Sequence, residues 1–166
     1  DSASVDSLLA LGRVLASDVS APHPLPEFPR SSVDGYAVRA SDTFGASESL
    51  PAYLTLVGEI PMGAPADLTL ESAQCALIHT GGMLPNGADA VVMLEYTQTI
   101  ASSGLRPEES GKREIEIFRA VAEGENIIRL GEDVAQGQLI LPKGCVMSPA
   151  EIGGLLALGI TSVQVA

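Results

Sequence analysis

From residue 53 to residue 121 the chain reads as four short apolar runs, 53–57, 75–80, 90–94 and 114–121, cut apart by glycine and proline. Each is too short for a helix of ordinary length and rich in the residues that fit a pleated, half-buried surface. The last run alternates, with Ile115, Ile117 and Val121 on one face and Glu114 and Glu116 on the other, which is the period of a strand. Turn chemistry separates them: Gly58, Pro61 to Gly63 with Pro65, Gly81-Gly82, and Pro85-Asn86-Gly87. Strands at this spacing with no helix between them argue a compact all-β subdomain, a small barrel or a curled sheet. The polar stretch 101–112 reads as a hairpin tip.

The flanks differ. From Ser4, the residues Val5, Leu8, Leu9, Gly12, Leu15 and Ala16 recur at steps of three and four, which predicts an amphipathic helix capped by Ser4 with Asp6 at its positive end. Pro22, Pro24 and Pro26 then force an extended exit. Near the other end, Ser148-Pro149-Ala150-Glu151 combines a capping hydroxyl, a proline at the first helical position and a glutamate three residues on. Ile152, Leu155, Leu156 and Leu158 supply a buried face, Gly159 ends the helix in the left-handed region, and 161–165 follows as a strand. Helix, β region, helix predicts a mixed α+β, β-rich fold. Residues 1–30 and 134–166 form a discontinuous domain from both chain ends, and 31–133 an inserted β subdomain. Two crossings joining two subdomains would act as a hinge.

Composition narrows the partners. With 166 residues and 46% hydrophobic content the chain can bury a core, and no apolar run approaches the roughly 20 residues that span a bilayer. The net charge of −12 repels phosphate backbones and anionic lipid, so nucleic acid and membrane partners are not expected. Cys75 and Cys145 lack a second cysteine nearby and read as reduced core thiols of a cytoplasmic protein. His23 and His79 lack the partner spacing of a metal site and read as structural. No secretory or other targeting signal is visible.

Three loops could carry chemistry. In residues 25–42, Asp34-Gly35 can turn the chain with positive φ and aim the carboxylate outward, although Asp-Gly between apolar residues is also the commonest short hairpin signal. In 79–89, Thr80-Gly81-Gly82 can bring consecutive N–H groups to an anion, or serve only as a flexible turn. In 129–133, Arg129, Gly131, Glu132 and Asp133 set a guanidinium beside two carboxylates, a combination that is more often a solvated turn. Together Asp34, Glu132 and Asp133 offer hard oxygen donors, while Thr80, Gly81 and Arg129 offer anion-binding groups. The mixture suits a magnesium-bound phosphate or an oxyanion. No Ser-His-Asp set and no cysteine with a base is present, so the chain reads as half a site.

Four stretches, 25–43, 78–95, 124–134 and 148–153, hold Pro-Arg-Ser-Ser-Val-Asp-Gly-Tyr-Ala, His-Thr-Gly-Gly-Met-Leu-Pro-Asn-Gly-Ala-Asp-Ala-Val-Val-Met, Gly-Glu-Asn-Ile-Ile-Arg-Leu-Gly-Glu-Asp and Ser-Pro-Ala-Glu-Ile-Gly. They resemble, in order and over essentially the whole chain, the N-terminal region of the molybdopterin molybdenumtransferases, the MoeA family that includes the gephyrin E domain. The resemblance implies a magnesium-dependent insertion of molybdenum from molybdate into adenylylated molybdopterin. It also implies a homodimer whose cleft lies between one subunit's nucleotide-binding domain and the other's N-terminal region. The nucleotide-binding and C-terminal domains of that family are absent from this chain, which implies a fragment inactive alone, with Mg²⁺ and molybdate held mainly by the missing domain. Asp34 matches the Asp of the family's Met-Asp-Gly-Tyr-Ala motif, Thr80 the Thr of Thr-Gly-Ala and Asp133 the Asp of Gly-Glu-Asp; these three are the implied catalytic residues. Gly35, Gly81, Arg129 and Glu132 accompany them as expected ligand-binding positions. Val33 stands for the usual Met, Gly82 for Ala, and Pro29 for an Asp, which removes a carboxylate. A non-catalytic scaffold of the gephyrin kind is the alternative, and a free-standing cation-binding module a third reading.

Overall fold

The computed structural model describes residues 2–101 and 113–166, so all but the first residue of the expected hairpin tip at 101–112 lies outside the described residues. The strands, in chain order, are β1 (Ala3–Asp6), β2 (Val19–Ser20), β3 (Arg30–Ser31), β4 (Gly35–Val38), β5 (Ala52–Glu59), β6 (Gln74–Ile78) and β7 (Ala90–Met93). There follow β8 (Thr97–Ala101), β9 (Arg113–Ile117), β10 (Ile127–Ile128), β11 (Leu139–Leu141), helix α1 (Pro149–Ala157) and β12 (Ser162–Val165). The fold is mostly β. Two compact units divide it: Asp1–Glu27 with Leu130–Ala166, and Phe28–Arg129.

The unit made from the chain ends pairs β1 antiparallel with β12, Ala3 opposite Val165 and Asp6 opposite Ser162, and pairs β2 with β11. The helix expected from Ser4 is absent. Residues 3–6 spend their backbone bonds on β12, and only a 3₁₀ turn, Ser7–Leu9, follows, capped by Asp6, whose carboxylate accepts from Leu8 N at 2.8 Å. The three-and-four spacing was misleading: Leu8 and Leu9 are 64% and 76% exposed, and Gly12 leaves helical space at φ +73. Ala10 and Leu15 are the residues that reach the core, with Met147, Leu155, Val163 and Val165.

Helix α1 begins as the sequence predicts. Ser148 accepts from Ala150 N, and Glu151 Oε2 accepts from Ser148 N at 2.9 Å, completing a capping box with Pro149 in the first turn. At its other end Gly159 N donates to Leu156 O and Ile160 N to Leu155 O, with Gly159 at φ +67. That is the bond pattern of a left-handed glycine cap. The buried face is Leu155 and Leu158, whereas Leu156, expected inside, is 39% exposed.

The other unit is a curled six-stranded sheet in the order β7-β4-β6-β5-β9-β8, antiparallel except for the parallel β5–β6 pair. The outermost strands β7 and β8 do not pair with each other, so the sheet is open rather than a closed barrel. Its alternation loads both faces. Tyr36, Val38, Cys75 and Val92 enter one cluster with Leu54, Ile115 and Ile117, while Ala37, Ala76, Ile78 and Val91 enter another with Ile60 and Leu70. All four residues of β4 are buried in consequence, as expected of a central strand covered on two sides. Strand β9 stops at Ile117, short of the expected 121. Val121 is buried outside the ladder, its N–H donating to the Thr43 hydroxyl at 3.1 Å.

Candidate functional site

Sheet order alone sets three groups in a row. Strand β4 runs antiparallel to β6 with Gly35 opposite Ile78, and β5 runs parallel to β6 with Glu59 opposite Leu77. The start of β4, the end of β6 and the end of β5 therefore share one edge, and from it emerge Asp34, His79 with Thr80, and Glu59. Asp34 Oδ1 accepts from Thr80 N at 2.8 Å and from the Thr80 hydroxyl at 3.1 Å. His79 Nδ1 lies 3.8 Å from the same Oδ1, and His79 Nε2 lies 2.9 Å from Glu59 Oε1. The Thr80 backbone N–H holds the Asp34 carboxyl below its ordinary range, with the Thr80 hydroxyl next in effect; partial desolvation opposes them and the nearby His79 charge adds a smaller pull. The Asp34 side chain remains 58% exposed. It is an ionised, oriented carboxylate open to solvent.

Several sequence expectations change at this edge. Gly35 does not turn the chain in the left-handed region. It opens β4, and a Cβ there would sit 2.0 Å from Val92 O, so its missing side chain is what lets β7 approach. Thr80-Gly81-Gly82 is not an open anion cradle either. Thr80 N is taken by Asp34, Gly81 N donates to Ser31 O at 2.8 Å, and Gly82 N donates to His79 O at 2.8 Å. Gly81 is needed for its φ of +83, and Gly82 for packing, since a Cβ would meet His79 O and Ile78 Cγ1 at 2.9 Å. Beside this loop Phe28, Gly63, Ala64, Pro65, Gly81 and Met83 line a mostly apolar cavity of about 210 Å³.

Of the expected residues, then, Asp34 and Thr80 are brought into contact. Arg129 is exposed at the end of β10, and Gly124, at φ +82, leaves room for its guanidinium: a Cβ there would fall 2.8 Å from Nη2. Gly131, Glu132 and Asp133 belong to the chain-end unit. There Gly131 N donates to Pro26 O and Asp133 N to Leu25 O, clipping the turn to that extended segment, with both acidic residues exposed. Among the described residues, no three His, Cys, Asp or Glu side chains gather as a metal site, and no helix is long and apolar enough to cross a membrane. Cys75 is buried, and burial pushes its thiol up to about 12; both cysteines are free.

Glu59 escaped the sequence reading, and His79, read there as structural, stands at the site instead. Neither has a nearby partner in the chain; Glu59 is 20 residues from His79 and Asp34 is 45 away. The signal that could have found them is the pairing of β5 with β6, which no local pattern encodes.

The same edge carries a recognisable family. A family model described as the MoeA N-terminal region (domain I and II) matches residues 1–159. A molybdopterin molybdenumtransferase of Bacillus subtilis (strain 168) is 40% identical over 156 residues, which is 94% of this chain and 35% of the relative. Molybdopterin molybdenumtransferase 2 of Mycobacterium tuberculosis (strain ATCC 25618 / H37Rv) is 39% identical over 156 residues, covering 94% and 36%. The crystal structure of the molybdopterin biosynthesis MoeA protein from Pyrococcus horikoshii OT3 superposes with a TM-score of 0.85 at 39% identity, over 99% of this chain and 41% of that one. The chain thus spans little more than a third of the curated relatives it matches. Because the family model covers all but the last seven residues, the chain belongs to the MoeA N-terminal region family.

Proposed function

We propose that this chain acts as the N-terminal region of a molybdopterin molybdenumtransferase, the enzyme that inserts molybdenum from molybdate into adenylylated molybdopterin. The observation that carries the reading is the Asp34–Thr80 pair on the β4–β6 edge, in the motif positions that the family resemblance singles out. Two donors on Oδ1 hold the carboxylate ionised and in one orientation before any ligand arrives, which lowers the cost of aligning it with a reacting group. In that state Asp34 can accept a proton or a hydrogen bond, or set a negative charge beside a cation.

The remaining parts of the reading follow from the half-site. Magnesium prefers about six oxygen ligands, often one or two carboxylates with waters and substrate phosphates. Following the family resemblance, Mg²⁺ and the substrate molybdate are held chiefly outside this chain, which offers carboxylates that could complete such a set. Asp34 and Thr80 are then its contribution to a cleft completed by the partner subunit of a homodimer, in the cytoplasm; Asp133, on the chain-end unit, is proposed on the family motif alone, and the chain does not turn over alone. Gly35 and Gly81 support Asp34 and Thr80 as their neighbours in the chain, while Arg129 and Glu132 are proposed as ligand-binding positions on the family motif alone.

Complementation tests the reading. In a strain deficient in molybdenum insertion, a full-length parent gene carrying Asp34→Ala should restore molybdoenzyme activity to only about one per cent of the unmodified gene, a loss of roughly 10²-fold. Full restoration by Asp34→Ala would remove the role given to that carboxylate.

A further inference from the structure

We propose that His79 is a positioning residue of the Asp34 site, its ring aimed by Glu59 at the one carboxylate oxygen that Thr80 already holds. This inference rests on the reading of Asp34 given above. Its support is geometric. Three neighbouring strand ends place Glu59, His79 and Asp34 side by side, and each ring nitrogen faces a different carboxylate: Nε2 meets Glu59 Oε1 at 2.9 Å and Nδ1 faces Asp34 Oδ1 at 3.8 Å. An ionised carboxylate only accepts, so Nε2 must be the donor to Glu59. That bond fixes the rotation of the ring and with it the direction of Nδ1.

The 3.8 Å separation is too long for a direct hydrogen bond. His79 therefore acts on Asp34 as a wall that limits where the carboxylate can swing, while Thr80 supplies the tether. Thr80 N, Thr80 Oγ1 and His79 Nδ1 all converge on Oδ1, which leaves Oδ2 as the atom that turns to a ligand. Removing the ring loosens the carboxylate without removing a core side chain, because His79 and Glu59 are both partly exposed.

Two near-isosteric variants separate the nitrogens. His79→Gln places an amide near the Nε2 position and keeps the Glu59 contact but empties the Nδ1 position; His79→Asn does the reverse. In the 166-residue chain we expect His79→Gln to shift the Asp34 carboxyl ¹³C resonance and to speed hydrogen exchange at the Thr80 amide by about threefold. The Tm should stay within about 2 °C, the range of an exposed substitution, and His79→Asn should recover most of the Asp34 signal. Glu59→Ala, which frees the ring, should reproduce part of the His79→Gln effect. In the complementation assay His79→Gln should lower activity roughly tenfold. An Asp34 resonance and Thr80 exchange rate identical to those of the unmodified chain in both His79→Gln and Glu59→Ala would overturn the proposal. If instead that coupling is present while Asp34→Ala complements fully, the positioning stands and the catalytic reading of Asp34 fails.

Discussion

Asp34 and Gly35 are neighbours with opposite demands, one open to solvent and one hemmed in by backbone. The Asp34 carboxyl is depressed from its ordinary value near 3.8, first by the Thr80 N–H and then by the Thr80 hydroxyl. A depressed carboxyl stabilises the fold above its unfolded value and loses that contribution as pH falls through its folded value. The Asp34–Thr80 contact therefore holds at neutral pH and weakens only in acid below about pH 4. Thr80→Val removes the lesser donor alone, so an NMR titration of Asp34 should show its midpoint moving part of the way back up; an unmoved midpoint would mean the hydroxyl contributes nothing. At Gly35 the constraint is space. A methyl 2.0 Å from Val92 O must push β7 away from β4, and Gly35→Ala should cost at least about 2 kcal/mol in urea unfolding, at the level of core overpacking.

Elements differ in how far their own residues decide them. The start of α1 is written in four consecutive positions, Ser148 to Glu151, whose bonds close on one another. It was legible because nothing distant enters it, and Ser148→Ala should lower stability by about 1 kcal/mol in the same urea assay, with a loss under about 0.3 kcal/mol contradicting the capping role. Residues 4–16 show the reverse case. Their apolar spacing favours a helix, yet Val5 pairs with Val163 across almost the whole chain, and that distant ladder overrides local preference. The glycines of the Thr80 loop stayed undecided between anion cradle and plain turn for a similar reason: whether their N–H groups are available to an anion depends on Ser31 and Asp34, which only β4–β6 pairing brings near.

For the molecule as a whole, the β-rich character and most of the central strands could be read from glycine, proline and alternation, since these act over a few residues. The order β7-β4-β6-β5-β9-β8 could not, and with it went Glu59 and the partners of His79, because a parallel neighbour is chosen by long-range packing. The two-residue ladder of β3 with β10, Ile127 opposite Ser31 and Ile128 opposite Arg30, has a consequence for the order in which the polypeptide assembles during synthesis. The chain-end unit cannot close until residues near 165 have been made, because β1 waits for β12. Once the central unit has formed, β3–β10 clasps its two exits together and shortens the loop that β1–β12 must close from roughly 155 residues to roughly 60, a saving of about 1 kcal/mol in closure entropy. The last strand of the central sheet ends at Ile117, so that sheet has all of its strands before β12 is made.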